Sequence, residues 1–335
     1  MNSIQHWRVF GHDWAVEQLQ RSLIHQRIRH AYLIVGAESV GKETLARAFA
    51  MALNCLHEDV IQRPCFECRI CRQILSGNHA DVLYSQSDPN SGILRIEEVR
   101  LMTGRIALKP FDARYRVAIF RDFDNAQPRA QDALLKTLEE PPPHAVLVLL
   151  ARSQEQILST ITSRSQMIHL RPANVHDIYQ ALTSHYAADD VHAEELARLS
   201  GGRVGWAIRG LEDEVALEQR SAALDLLEDI LSKPRVGRFA LAEDLSKDKL
   251  ALIPLLELWQ SYWRDLLLSI TNSGVALMHA DRTAHLSRLA ALVSETETLI
   301  ALHATQTMLL TLKTNANVRL ALEVMFLDYP GLIQA

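Results

Sequence analysis

Four cysteines stand at C-x9-C-x2-C-x2-C spacing, Cys55, Cys65, Cys68 and Cys71, and the chain has no others. Thiolates with two residues between them converge on one ion, and four soft ligands complete the tetrahedral shell that Zn²⁺ prefers. A four-sulfur set leaves no open coordination position, so the spacing predicts a structural zinc and not a catalytic one. His57 and His79 lie nearby and are surplus to such a closed set. The start of the chain, MNSIQHWRVF, lacks a basic stretch followed by an apolar one. Clustered cysteines without a secretory leader point to a reducing, cytoplasmic setting and to metal, not disulfides.

A second constellation is Gly36-Ala-Glu-Ser-Val-Gly41-Lys42, a GxxxxGK loop that follows an apolar run and opens a helical stretch. Backbone N–H groups of such a loop cradle phosphates, and the lysine reaches the outer ones. The next position ordinarily carries a hydroxyl for Mg²⁺. Glu43 stands there instead, with Thr44 one residue late and about 100° further around the helix. Gly36, Gly41, Lys42 and Thr44 are therefore the candidate contacts of a degenerate phosphate loop. The carboxylate that completes a magnesium shell ordinarily ends a second apolar run. After Arg116–Phe120 the residue is Arg121, with Asp122 and Asp124 displaced beyond it. With both protein groups on the ion altered, ATP and Mg²⁺ are expected to bind weakly or not at all, and hydrolysis to be negligible. The alternative is an active ATPase in which Glu43 and Asp122 support the metal.

These residues need a scaffold. Short apolar runs at 31–35, 81–84, 116–120, 145–151 and 167–170 alternate with helical stretches such as 42–54 and 127–140, the latter closed by Pro141–Pro143. Strands alternating with helices predict a mostly parallel sheet covered on both faces. Beyond Arg171-Pro172 the strand signals stop. From Val175 onward only helical periodicity remains, broken at Ser200-Gly201-Gly202, Lys233-Pro234 and Asn272-Ser273-Gly274. Leu252, Leu255, Leu256, Trp259, Trp263, Leu266 and Leu267 recur at helical spacing, a stripe for a helical core. The 335 residues suit two or three domains at about 150 residues each. Lys+Arg 35 against Asp+Glu 40 gives a net charge of −5, which argues against a dedicated nucleic-acid-binding surface. No apolar run approaches the roughly 18 residues of a membrane span.

Several segments together resemble one family. His30-Ala31-Tyr32-Leu33 precedes the loop, the cysteine module follows it, and Ala133-Leu-Leu-Lys-Thr-Leu-Glu-Glu-Pro-Pro142 follows the 116–120 run. Ser163-Arg164-Ser165, Leu199-Ser-Gly-Gly202 with Gly205, and Asn315-Ala-Asn-Val-Arg-Leu-Ala-Leu-Glu323 come later. This set resembles the bacterial DNA polymerase III clamp-loader subunits of the AAA+ class. Glu43 and Arg121 resemble its branch without ATPase activity more than its gamma/tau ATPases. The resemblance implies an α/β AAA+ P-loop domain over 1–171 with the zinc module at 55–71. It implies further a small all-α lid over 172–210 and an all-α collar over 211–335 that joins subunits into a ring. It implies that Arg164, in a variant of the family's Ser-Arg-Cys motif, reaches in trans the γ-phosphate of ATP held by a neighbour. It also places Arg203 where ATPase relatives sense nucleotide. The implied partners are gamma/tau-type ATPase subunits, a delta subunit, the sliding clamp, and primed DNA through the assembled polymerase holoenzyme complex, with no membrane.

Overall fold

The computed structural model describes residues 5–89, 91–312, 314 and 316–332. The chain divides into two compact units, 1–193 with 201–208, and 194–200 with 209–335.

The first unit is built on a five-stranded sheet of order β2-β3-β4-β1-β5. Its strands are β1 (Ala31–Val35), β2 (Val82–Tyr84), β3 (Arg116–Phe120), β4 (Ala145–Ala151) and β5 (Gln166–His169), and every pairing is parallel. The central strands β1 and β4 are buried at every position, as expected where helices cover both faces. Alternate residues face opposite sides. Tyr32, Ile34, Val117, Val146 and Val148 pack with α1 (Asp13–Ile24) and α2 (Lys42–Asn54). Leu33, Ala118, Leu147 and Leu149 pack on the other face. There they meet α4 (Ile96–Ile106) and α5 (Pro128–Glu139). The remaining helices here are α3 (Arg69–Leu75), the single turn α6 (Ser159–Thr162) and α7 (Val175–Tyr186).

The expected strands and α2 are found, with small shifts at the ends. β5 lies one residue earlier than its apolar run. Asp81 sits just ahead of β2 because its fully buried carboxylate has another task. It accepts the backbone N–H groups of Phe111, Asp112 and Ala113 at 2.9–3.1 Å and pairs with Arg116.

Helices α8 (Asp190–Leu199) and α9 (Val204–Glu212) are each divided between the two units. The second unit continues as α10 (Glu214–Ser232), α11 (Arg235–Leu245), α12 (Lys249–Ile270), α13 (Thr283–Leu292), α14 (Glu295–Thr311) and α15 (Val318–Asp328). Among the described residues no strand follows β5. Helices break at each of the three turn signals read from sequence, and also at positions that carried no such signal, between α7 and α8, α9 and α10, α11 and α12, α13 and α14, and α14 and α15. Leu252, Leu256, Trp259, Trp263 and Leu266 form the buried stripe of α12, with Leu255 half-buried beside them. Asn315, the first residue of the expected Asn315–Glu323 segment, lies outside the described residues. None of the described helices is long and apolar enough to cross a membrane.

One buried cation ties this unit together. The Arg238 guanidinium donates to the carbonyls of Phe326, Tyr329, Leu231, Pro330 and Lys233 at 2.7–3.2 Å. It thus satisfies orphan carbonyls at the ends of α10 and α15, which no helix can satisfy internally. Arg238→Lys keeps the charge and loses the fork. We expect a loss of about 2 kcal/mol, read from the denaturant midpoint, because several buried acceptors lose their donor at once.

Candidate functional site

The cysteine cluster assembles from the end of one helix and the start of another. Cys55 is the residue that terminates α2, Cys68 caps the N-terminus of α3, and Cys71 lies in its first turn. The four Sγ atoms all lie within 4.8 Å of one another. A tetrahedron of Zn–S bonds of about 2.3 Å places its sulfurs roughly 3.8 Å apart, so the set fits one zinc ion with little movement. Backbone N–H groups already point at the sulfurs: those of His57 and Cys65 at Cys55, of Cys68 at Cys65, and of Cys71 at Cys68, at 3.3–3.5 Å. Cys55 is held well below the usual thiol range, to about 4, chiefly by its hydrogen bond with Cys71, against burial and with help from these N–H groups. The rings of His57 and His79 are engaged elsewhere, with the Asp59 carbonyl and the Asp81 N–H. The cluster sits against Ile70, Ile74 and the sheet's first core. The set could hold a metal ion, and four sulfur ligands are compatible with structural zinc.

The phosphate loop follows β1 and leads into α2 through Gly41, whose φ of 113° lies in the left-handed region that favours glycine. Each side of this loop is tied to a protein group. Lys42 Nζ donates to the carbonyls of Gly36 and Ala37 at 2.7 and 2.8 Å. Burial, then Arg152, lowers its pKa against Asp124, Asp122 and Glu38. The Glu38 carboxylate pairs with Arg152, the residue after β4. The buried His12 ring, held below the usual imidazole range by burial, bonds the Val40 carbonyl at 2.8 Å. The Gly205 N–H donates to the Ser39 carbonyl at 2.8 Å, and a Cβ at residue 205 would meet that oxygen at 3.1 Å.

The two residues that depart from the magnesium pattern meet each other. Arg121 Nε and Nη2 donate to the two carboxylate oxygens of Glu43 at 3.0 and 2.5 Å, and the guanidinium lies 4.7 Å over the Tyr84 ring. Both side chains are about two-fifths exposed, 42% and 41%, so the pair contributes about 1 kcal/mol at most to stability. Its chemical consequence is larger. The Glu43 carboxylate, at the position that ordinarily carries a magnesium-binding hydroxyl, is engaged by the Arg121 cation, and Thr44 is exposed on α2. Asp122, the other candidate metal ligand, has a left-handed φ of 45° and a carboxyl pushed up by burial. Positions 43 and 121 thus carry neither the hydroxyl nor the carboxylate that a magnesium shell ordinarily takes from them.

Arg164 lies at the opposite end of the sheet. It follows α6 and precedes β5, whereas the loop follows β1, and β1 and β5 are parallel with Tyr32 beside Gln166 and Val35 beside His169. At about 3.3 Å per residue, some 13 Å of strand separate the two ends. Arg164 Nη1 donates to the Thr160 carbonyl at 3.0 Å, and Nη2 pairs with Glu139 at 3.1 Å. The Arg203 guanidinium, at the start of α9, lies 5.8 Å from the Trp206 ring centroid.

Residues 11–174 match the family model described as DNA polymerase III, delta subunit. The DNA polymerase III subunit delta' of Pseudomonas aeruginosa is 30% identical over 243 residues, 70% of this chain and 70% of that protein. The chain belongs to the DNA polymerase III clamp-loader family. The tau subunit of Bacillus subtilis is 28% identical over 288 residues, 80% of this clamp-loader subunit and 50% of its relative. The chain therefore spans about half the length of that tau protein. Among solved structures, a gamma subunit-related protein of Thermotoga maritima aligns over 93% of this chain and 97% of its own, at 16% identity and a TM-score of 0.47.

Sequence reading of this subunit missed Arg152, Glu38 and His12 around the loop. Arg152 had a signal, since it follows β4 as Arg121 follows β3. A lone histidine such as His12 had none.

Proposed function

We propose that this clamp-loader subunit is a non-hydrolysing, delta-prime-type member of its family, acting within the cytoplasmic replication complex. It holds the geometry of the loader ring and supplies Arg164 to the ATP site of a neighbouring gamma/tau-type subunit while the sliding clamp is loaded on primed DNA. The observation that carries the reading is the Arg121–Glu43 pair, which places a guanidinium and a neutralised carboxylate where a magnesium shell needs a hydroxyl and a free carboxylate. In this reading residues 172–210 form the lid, residues 211–335 form the collar that joins the other subunits, including delta, and Gly36, Gly41, Lys42 and Thr44 belong to a vestigial loop. Arg203 has no nucleotide of its own chain to sense. Arg164 acts only on a neighbour, because its own loop is at the far end of the sheet. A planar guanidinium offers two parallel donors to charge that develops on a transferring phosphoryl group.

A second reading, an ATPase of gamma/tau type, is favoured by the similarity to tau. ATP turnover by the purified chain separates the two. The expected rate is far below the ~10 s⁻¹ of an ordinary enzyme. Turnover at or above ~1 s⁻¹ that disappears in Lys42→Ala would establish the second reading instead.

A further inference from the structure

Beside Arg164 the surface forms a pocket of about 450 Å³, lined by Arg27, Arg29, His30, Ser163, Arg164, Ser165 and Gln166. Its lining holds three guanidinium groups and no carboxylate. Glu139 reaches Arg164 from outside this set, while Arg27 and Arg29 are exposed and form no ion pair among the described residues. Two of its lining residues, His30 and Ser165, each carry a buried polar atom, Nε2 and Oγ, without a hydrogen-bond partner. Native proteins rarely leave such atoms unmatched, and a group that does so points to a missing ligand. Concave concentrations of guanidinium groups with free hydrogen-bonding groups between them suit phosphate oxygens, which accept several short, charge-assisted bonds at once.

We propose that this pocket seats the terminal phosphates of a nucleoside triphosphate presented by an adjoining subunit, with Arg27 and Arg29 binding them beside Arg164. The inference rests on the trans role of Arg164 for the identity of the ligand, and on the pocket itself for its phosphate chemistry. A pocket of this shape favours a compact oligophosphate over a nucleic-acid backbone, which is tracked by basic stripes or grooves. Arg164, at the strand entrance, acts on charge that develops during transfer. Arg27 and Arg29 bind charge that is present before and after it. Their loss therefore weakens nucleotide binding at the neighbour's site more than it slows the chemical step. Burial and then the adjacent Arg29 lower the pKa of His30, against a hydrogen bond with the Leu138 backbone.

Two measurements on Arg27→Ala/Arg29→Ala test the pocket. In the first, the purified full chain is titrated with inorganic tripolyphosphate at low salt and without Mg²⁺. We expect saturable binding that falls at least about fivefold in the double variant and recovers in part in Arg27→Lys/Arg29→Lys, which keeps the charge without the fork. Undiminished tripolyphosphate binding in the double variant overturns the proposal, as does a variant that loses primed-DNA binding alone. In the second, the double variant is reconstituted with wild-type partners. The expected result is a KM for ATP raised at least about fivefold at the affected site, with kcat within about twofold. An unchanged KM, while Arg164→Ala still lowers kcat, overturns the pocket and leaves the trans arginine intact. If Arg164→Ala is also without effect, the trans reading itself fails, and the tripolyphosphate titration still judges the pocket.

Discussion

Replacing Cys68 with alanine is expected to release zinc and to unfold the segment from Cys55 to Leu75, with a marked loss of stability in the first unit. The four sulfurs lie within 4.8 Å of one another, contributed by the end of α2, the segment before α3 and the start of α3, and a shared ion would bind all four at once. Structural zinc supplies about 10–16 kcal/mol of apparent binding free energy to small zinc-finger peptides. Part of that is retained here as packing, because Cys55, Ile70, Cys71 and Ile74 also belong to the core under β1. We therefore expect a loss of several kcal/mol, at the upper end of single-residue effects. The helical unit has its own core around Trp259, Trp263 and Phe326, and its unfolding transition should stay where it is. Metal analysis of wild-type protein purified without chelator should find about one zinc per chain. Finding none would end the assignment of Cys55, Cys65, Cys68 and Cys71.

Arg164→Ala is expected to slow ATP hydrolysis at the adjoining site of the assembled loader by about 10³-fold, the lower end of what such fingers contribute in GTPases. Other sites in the ring mask part of this, so the bulk rate stimulated by DNA and clamp should fall by at least ~10-fold only where that site limits the cycle. Clamp loading, which needs the whole ring, should suffer more than total hydrolysis. The Glu139 pair does not stand in the way. It is a half-exposed contact worth at most about 1 kcal/mol, readily exchanged for a phosphate. Arg164→Lys should rescue weakly, because an ammonium lacks the planar fork. If Arg164→Ala assembles and loads clamps at the wild-type rate, Arg164 is an ordinary surface arginine.

The parallel sheet was legible because β1 and β4 are unbroken apolar runs, as strands buried on both faces must be. The all-helical character of the second half was legible from period, and three of its breaks from punctuation, while the breaks between α7 and α8, α9 and α10, α11 and α12, α13 and α14, and α14 and α15 were not. The meeting of the four cysteines was legible from spacing, since C-x2-C intervals bring successive sulfurs to one place. The departures of Glu43 and Arg121 from the usual magnesium pattern were legible in the sequence. Their mutual pairing was not, because they are 78 positions apart and only the sheet brings the end of β3 beside the start of α2. The same holds for Gly205 on Ser39 and for Arg238 across the ends of α10 and α15. Such contacts depend on where whole elements dock, and no local pattern encodes that. Asp81 shows the converse: an acidic residue at the edge of an apolar run reads as strand, yet it is buried to collect the N–H groups of a distant turn.

The most direct test of the account adds this chain to a loader assembled from gamma-type ATPase subunits, delta and clamp, and measures ATP turnover on primed DNA against each component alone. The account predicts that the purified chain is inert and that its addition raises turnover of the assembly, an increase that the Arg164→Ala chain fails to produce while still joining the complex. A chain that hydrolyses ATP alone, with assembly adding nothing beyond the sum of the parts, would contradict it.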